Sequence, residues 1–266
     1  MNYSLLVSDF DGTLVGPDYS LSSRVRDAIG RFVQAGGKFA IATSKPFAGV
    51  VSGVCNSLGI YGPHVVNGGA EIVDSTGTAI RTMYLSWDDI GKATGILTAR
   101  GFMPRVYKSG CEYTDDQSAD RGAHISRYPL SALPWGAGAP KIRFSFAAGQ
   151  ENEAYETAGA LKNAVAWATV VRNDVGYELG YDMTSGQATK AIAVSRLADI
   201  VGIPLSKIAF VGDGYNDGST LCECGLPVSM ATAPSHVMAY TRHTVPSVRD
   251  DGVAVLIDGL LSGELA

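Results

Sequence analysis

Two carboxylates, Asp9 and Asp11, follow the short apolar run Leu5-Leu6-Val7 and stand just before Gly12. Such a run is the signature of a strand buried on both faces. In an open parallel α/β sheet, ligands gather outside the carboxyl ends of the strands, so the two acids point at the expected ligand crevice. Their chemistry suits phosphoryl transfer, with Asp9 attacking phosphorus and Asp11 carrying the proton to and from the leaving and attacking oxygens. Two like charges so close call for a compensating cation, and Mg²⁺ on oxygen ligands meets that need. The same Asp-x-Asp-Gly pattern also makes an ordinary turn, so its meaning depends on what lies further along the chain.

Two more strand-like runs end in polar residues. Lys38-Phe39-Ala40-Ile41-Ala42 leads into Thr43-Ser44-Lys45, and Ile208-Ala209-Phe210-Val211-Gly212 leads into Asp213-Gly214-Tyr215-Asn216-Asp217. A hydroxyl at Thr43, with backbone N–H groups at a helix start, can hold phosphate oxygens. Asp213 and Asp217 add carboxylates for a hard divalent cation, while Gly212 and Gly214 allow close backbone approach. Lys190, in the first turn of its helix, can bring positive charge to Asp9 and to phosphoryl oxygens. Each has a plainer reading: a helix cap for Thr43, a solvated lysine for Lys190, a turn for Gly-Asp-Gly. Their order along the chain and their shared place at strand ends favour one site.

The elements that must position these residues are readable from periodicity. Ser22 caps a helix with Val25, Ile29, Phe32 and Val33 on one face, closed by Gly36-Gly37. A second helix begins near Pro46, turns Val50, Val51, Val54 and Leu58 inward, and stops at Gly59. His64-Val65-Val66 reads as the next strand, running into Asn67-Gly68-Gly69. Alternation of strand and helix implies a parallel sheet with right-handed crossovers. The grammar returns late in the chain. Thr189 caps a helix with Ile192, Leu197 and Val201 inward and Val194 on its flank, another helix runs through Leu221 to near Gly225, Pro227–Met230 reads as a strand, and Asp251–Leu261 is a final helix.

Between these halves the pattern changes. Ser86–Arg100 and Glu151–Val165 read as helices; Phe102–Lys108, Glu112–Thr114, Trp167–Arg172 and Tyr177–Tyr181 read as strands, and 115–140 is irregular. Lys141-Ile142-Arg143-Phe144-Ser145-Phe146 alternates with period two, as a strand with one wet face does. The expected organisation is a Rossmann-like α/β core built from 1–80 and 185–266, with an α+β domain at 81–184 inserted as a cap. Candidate substrate contacts from the cap are Arg105, Lys108, Tyr113, Arg143, Tyr177 and Glu178.

Composition narrows the function. Of 266 residues, 46% are apolar and 18% charged, as in a folded globular protein. A net charge of −5 without a Lys/Arg-rich run argues against nucleic acid as a partner. No stretch reaches the ~20 apolar residues of a membrane span, and no secretory signal is visible at the start. Cys55, Cys111, Cys222 and Cys224 lack zinc spacing and are expected to be free thiols, which fits a cytoplasmic location. The histidines, His64, His124, His236 and His243, show no ligand spacing.

Asp9-Phe10-Asp11-Gly12-Thr13-Leu14, Ala42-Thr43, Lys190 and Gly212-Asp213-Gly214-Tyr215-Asn216-Asp217 resemble the four motifs of the haloacid-dehalogenase-like (HAD) phosphatases. The large cap between the second and third motifs, Asn67-Gly68-Gly69, and Asp251-Gly252-Val253-Ala254 are similar to the Cof-type branch. The resemblance implies that Asp9 forms an aspartyl-phosphate and that Asp11 is the general acid and base. It implies phosphate contacts from Thr43, Ser44, Lys190 and Asn216. It further implies Mg²⁺ held by Asp9, the Asp11 backbone carbonyl and Asp213, with Asp217 in support. Ser44-Lys45 departs from the Gly-Arg usual in that branch; lysine keeps the charge without the planar fork. The expected function is a Mg²⁺-dependent phosphatase, monomeric or homodimeric, acting on a small phosphorylated metabolite such as a sugar phosphate or a phosphoglycolate-like acid. A sugar phosphomutase and a non-catalytic phosphometabolite-binding protein are the alternatives; the intact acid and lysine set argues against the second.

Overall fold

The computed structural model describes residues 2–116, 125–173 and 178–265. Its core is a five-stranded parallel sheet of β1 (Leu5–Ser8), β2 (Lys38–Ile41), β12 (Ile208–Gly212), β13 (Leu226–Met230) and β14 (His243–Val245), in the order β14-β13-β12-β1-β2. Every residue of β1 is buried, and it pairs in parallel with β2 (Leu5 opposite Lys38) and with β12 (Leu5 opposite Ile208). The apolar run splits between two faces, as a period of two demands. Leu6 packs with Phe39, Ile41 and Val211 against α1 (Ser23–Gln34) and α8 (Gly252–Ser262), while Leu5 and Val7 join Ala40 and Phe210 against α5 (Lys190–Val201). This sandwich of helices on both faces of a parallel sheet brings the ends of β1, β2 and β12 to one rim.

Local signals account for most helix ends. Ser22 Oγ accepts from the Val25 amide at the start of α1, and Thr189 Oγ1 accepts from the Ile192 amide at the start of α5. Helix α2 (Val50–Leu58) starts four residues later than Pro46, because Gly49 at φ +86° holds the preceding loop out of helix. The helix expected through Leu221 is α6 (Gly218–Glu223), and the short α7 (Ser235–Met238) lies between β13 and β14. Val33, expected on the inner face of α1, is 44% exposed, and Val194 of α5 is fully buried and not on a flank.

The strand at His64–Val66 (β3) packs on the parallel core but, among the described residues, joins its ladder at a single isolated bridge, Val65 to Ala42. Its ladder is antiparallel to β4 (Glu71–Val73), which pairs in turn with β5 (Ala79–Thr82). Asn67, Gly68 and Gly69 all have positive φ, and they reverse the chain where the sequence pattern led to a crossover. A Cβ on Gly69 would sit 2.4 Å from the Thr189 carbonyl, so this turn lies directly against the start of α5.

The cap is a six-stranded mixed sheet in the order β10-β11-β9-β6-β7-β8. Its strands are β6 (Arg105–Lys108), β7 (Cys111–Tyr113), β8 (Arg127–Tyr128), β9 (Lys141–Phe146), β10 (Ala168–Arg172) and β11 (Leu179–Ser185). All pairings are antiparallel except β7 with β8. Strand β8 lies in the stretch that reads as irregular. Ile142, Phe144 and Phe146 pack with residues of α3 (Trp87–Ala99) and α4 (Glu151–Ala164) in one apolar cluster. The face carrying Lys141 and Arg143 is not wet, since each is only 3% exposed. Ion pairs with Asp182 and Glu178 make burial of those charges tolerable.

No helix among the described residues is long and apolar enough to cross a membrane. Cys55, Cys111, Cys222 and Cys224 are free thiols, as expected.

Candidate active site

Strand β1 carries its ladder one residue past its end: the Asp9 amide donates to the Val211 carbonyl at 2.8 Å. That fixes the Asp9 carboxylate at the sheet rim, with the residue 7% exposed. The chain then folds back, the Leu14 and Val15 amides both donating to the Phe10 carbonyl. Gly12 in this turn has φ +75°, and a Cβ there would lie 2.5 Å from Asp213 Oδ2. Thr13 Oγ1 donates to Asp213 Oδ1 at 3.2 Å. Glycine and a short hydroxyl thus let the first loop close onto the acid that follows β12.

The loop after β12 is folded around Asp217. The Gly214 amide donates to Asp217 Oδ2 at 2.9 Å, and a Cβ on Gly212 would stand 2.5 Å from that same oxygen. Lys190, the first residue of α5, donates through Nζ to Asp9 Oδ1 at 2.6 Å and to Asp217 Oδ1 at 2.7 Å. One carboxylate oxygen each from Asp9, Asp213 and Asp217 lies within 4.8 Å of the others.

These groups set one another's proton affinity. Burial lifts the Asp9 carboxyl well above its usual range; the Lys190 charge opposes this, and Asp217 and Asp213 add to it. Burial, then the Asp217 charge, pushes Asp213 up to about 6. Burial by itself would depress the Lys190 ammonium, but Asp217 and Asp9 hold it above the ordinary lysine value. Three crowded acids share one lysine, so the cluster is short of positive charge. An all-oxygen donor set in that condition fits a hard divalent cation such as Mg²⁺.

A family model described as haloacid dehalogenase-like hydrolase matches residues 6–257. The chain belongs to the haloacid dehalogenase-like hydrolases. It is 26% identical over 291 residues to the 5-amino-6-(5-phospho-D-ribitylamino)uracil phosphatase YwtE of Bacillus subtilis strain 168, covering 97% of this chain and 98% of the relative. It is 25% identical over 254 residues to a phosphoglycolate phosphatase of Natronomonas pharaonis, covering 95% and 96% of the two chains. Among solved structures, a haloacid dehalogenase-like hydrolase from Bacteroides thetaiotaomicron superposes with a TM-score of 0.85 at 20% identity, over 97% of this chain and 99% of that one.

In this haloacid dehalogenase-like hydrolase the remaining expected residues are placed unequally. The Asp11 carboxylate stands apart from the acidic cluster and pairs with Lys45, Oδ1 to Nζ 3.2 Å. Lys45 also lies 5.2 Å above the Tyr19 ring, so this lysine, where the branch usually has arginine, faces the second acid. Thr43 is fully buried and its Oγ1 accepts from the Lys45 amide at 3.1 Å. Ser44 is 7% exposed, and Asn216 is half-buried beside Gly214.

The cap candidates also divide. Arg105 pairs with Glu178 at 2.6 Å and with Asp116, and Arg143 pairs with Asp182 at 3.1 Å. Tyr113 belongs to the apolar cluster behind the sheet, and Lys108 donates to the Pro134 carbonyl over the Trp87 ring. Tyr177 and His124 lie outside the described residues. His64 is buried, accepts from the Ile41 amide and is driven down to about 4 by burial; His236 stacks on Tyr215. Sequence reasoning missed Thr13, Lys141 and Asp182. Lys141 was signalled only by charge at alternate positions of its strand, a pattern that solvent exposure produces equally well, and Asp182 falls one residue past the strand read at Tyr177–Tyr181, which runs from Leu179 to Ser185.

Proposed function

We propose that this chain is a Mg²⁺-dependent phosphatase that hydrolyses a small phosphate monoester through an aspartyl-phosphate at Asp9. The observation that carries this reading is the contact of Lys190 with Asp9 at 2.6 Å beside the convergence of Asp9, Asp213 and Asp217. A metabolite-binding protein has no need of a buried carboxylate with its own lysine.

In the first half-reaction an Asp9 carboxylate oxygen attacks phosphorus, the bond from phosphorus to the ester oxygen breaks, and Asp11 delivers a proton to that leaving oxygen. In the second, Asp11 takes a proton from water, the water oxygen attacks phosphorus, and the bond to Asp9 breaks to free inorganic phosphate. Lys190 and the Thr43–Ser44 loop hold the phosphoryl oxygens, Asn216 adds a polar contact, and Lys45 keeps Asp11 aimed at the cleft. Asp9, the Asp11 carbonyl and Asp213 would hold Mg²⁺, with Asp217 fixing their spacing. When bound, the ion supplies charge neutralisation, which dominates catalysis of phosphoryl transfer.

Two relatives of near-equal identity carry different substrates in their names, a ribitylaminouracil phosphate and phosphoglycolate. They support a phosphorylated metabolite as the substrate class. A cytoplasmic enzyme working as a monomer or homodimer is part of the same proposal. The test is release of inorganic phosphate from an aryl phosphate and from a panel of phosphorylated metabolites, with EDTA and then excess Mg²⁺. Release that stops with EDTA and returns with Mg²⁺ is expected; release indifferent to chelation contradicts the metal assignment.

A further inference from the structure

The Thr43–Lys45 loop is fastened in two different ways. The carbonyl of Thr43 accepts from the Gly68 amide at 3.0 Å, and the carbonyl of Lys45 accepts from the Asn67 amide at 2.8 Å, both within the core. The carbonyl between them, that of Ser44, accepts at 2.6 Å from Lys141 Nζ, which belongs to cap strand β9 and lies 97 residues away in sequence. The loop that would cradle the phosphoryl group, and that carries the Lys45 partner of Asp11, thus has its middle anchor on the other lobe.

Lys141 is not needed to neutralise its own lobe. Asp182, the acid nearest to it, already receives Arg143 Nη1 at 3.1 Å and Asn173 Nδ2 at 2.6 Å, while Lys141 stays 3.8 Å away. Its ammonium lies over the Tyr107 ring, 4.2 Å from the centroid. A lysine 3% exposed carries a desolvation penalty, and the closest hydrogen bond offsetting it is the one to Ser44. We propose that Lys141 is a positioning residue that latches the cap to the Thr43–Lys45 loop, so that the loop is held in order, and Lys45 kept on Asp11, only while the cap is closed.

The inference rests on the phosphatase reading for its catalytic consequence but not for its structural one. Opening the cap removes one of three carbonyl anchors, and the loop gains freedom at the residues between Thr43 and Pro46. The groups facing Lys141 are Asp182 of β11, Arg143 of its own strand, Tyr107 of β6, Glu112 of β7, and Lys45 and Glu71 of the core. Burial, with Arg143 and Lys45 reinforcing it, lowers the ammonium to about 8 against the pull of Asp182 and Glu112.

The test uses the full chain with Lys141→Met and Lys141→Arg. The methionine keeps the packing on Tyr107, and Asp182 keeps Arg143 and Asn173, so the fold is retained; equal melting midpoints verify this. Hydrogen exchange in the peptide covering 43–49 is expected to rise about tenfold in Lys141→Met and to stay near wild type in Lys141→Arg, because exchange reads local opening. With an aryl phosphate, kcat/KM is expected to fall about tenfold in Lys141→Met, carried mainly by kcat, since a loosened loop costs orientation more than affinity. The alkaline limb of the wild-type profile near pH 8 is expected to vanish in Lys141→Arg. Wild-type exchange over 43–49 in Lys141→Met overturns the latch. Raised exchange with unchanged kcat/KM overturns its catalytic part. If the wild-type chain releases no phosphate at all, the phosphatase reading fails while the exchange result still decides the latch.

Discussion

The Lys190 ammonium and the Asp9 carboxylate, 181 positions apart in the chain, meet at 2.6 Å in a setting where neither is appreciably exposed. Asp217 completes the arrangement from the other side of the lysine at 2.7 Å. Removing the lysine leaves two buried acids with no cation, so Lys190→Met has two expected effects. Turnover falls by about 10²–10³, the usual loss for one preorganised donor. Stability at pH 7 falls by about 3 kcal/mol, as for a buried pair that loses one member. Urea unfolding at pH 7 and pH 5 checks the second effect. The loss is expected to shrink as pH falls, because burial raises the proton affinity of Asp9 and its protonation removes one of the unpaired charges.

The acidic cluster makes the metal-free protein sensitive to pH in a defined direction. Asp213 has a folded value of about 6 against an ordinary 3.8, so the folded state holds its proton more tightly than the unfolded state. Its stabilising contribution is complete below the unfolded value and is lost as pH rises through about 6. Calorimetry of protein treated with EDTA is expected to show this component of the melting midpoint falling between pH 4 and pH 7, about the window set by the two values. Mg²⁺ then raises the midpoint more at pH 7.5 than at pH 5, because protons compete with the cation for the carboxylates and weaken its apparent affinity at the lower pH. A midpoint that Mg²⁺ raises equally at both pH values contradicts the assignment of the cluster as the cation site.

Gly12 links backbone geometry to the same acids. At φ +75°, with Asp213 Oδ2 only 2.5 Å from where a methyl group would stand, Gly12→Ala is both strained and obstructed. The expected cost is about 1–3 kcal/mol in stability. Displacement of Asp213 is expected to lower kcat/KM by about 10². Thermal unfolding and aryl phosphate kinetics read the two effects separately, and Gly30→Ala, where a Cβ meets nothing within 4 Å, serves as the control.

Much of this was legible in the sequence because its signals are local. The apolar runs ending at Asp9, Thr43 and Asp213 are strand ends at one rim of a parallel sheet, and the caps at Ser22 and Thr189 act within three residues. What could not be read depends on distant partners. Strands β4 and β5 are too short to show a period; the pairing of β3 with β4 follows from the positive φ values at Asn67, Gly68 and Gly69, and that of β4 with β5 from the turn at Asp74–Thr78, where Gly77 has φ +85°. The alternation at Lys141–Phe146 is real, but the face it predicts as wet is buried because Asp182, Glu178 and the Ser44 carbonyl lie against it. Charge at alternate positions does not tell solvent from a salt-bridged interface. The convergence of Asp9, Asp213 and Asp217 was expected from motif order; the turning of Asp11 toward Lys45 was not.

Whether Asp9 itself takes the phosphoryl group is decided by Asp9→Asn in an aryl phosphate assay with saturating Mg²⁺. The change keeps the shape of the side chain and its contact with Lys190 while removing the nucleophilic charge. The variant is expected to melt as a folded protein and to release no phosphate above background, with the wild type releasing it catalytically. A folded Asp9→Asn protein that turns over at the wild-type rate removes Asp9 from the reaction and the aspartyl-phosphate with it.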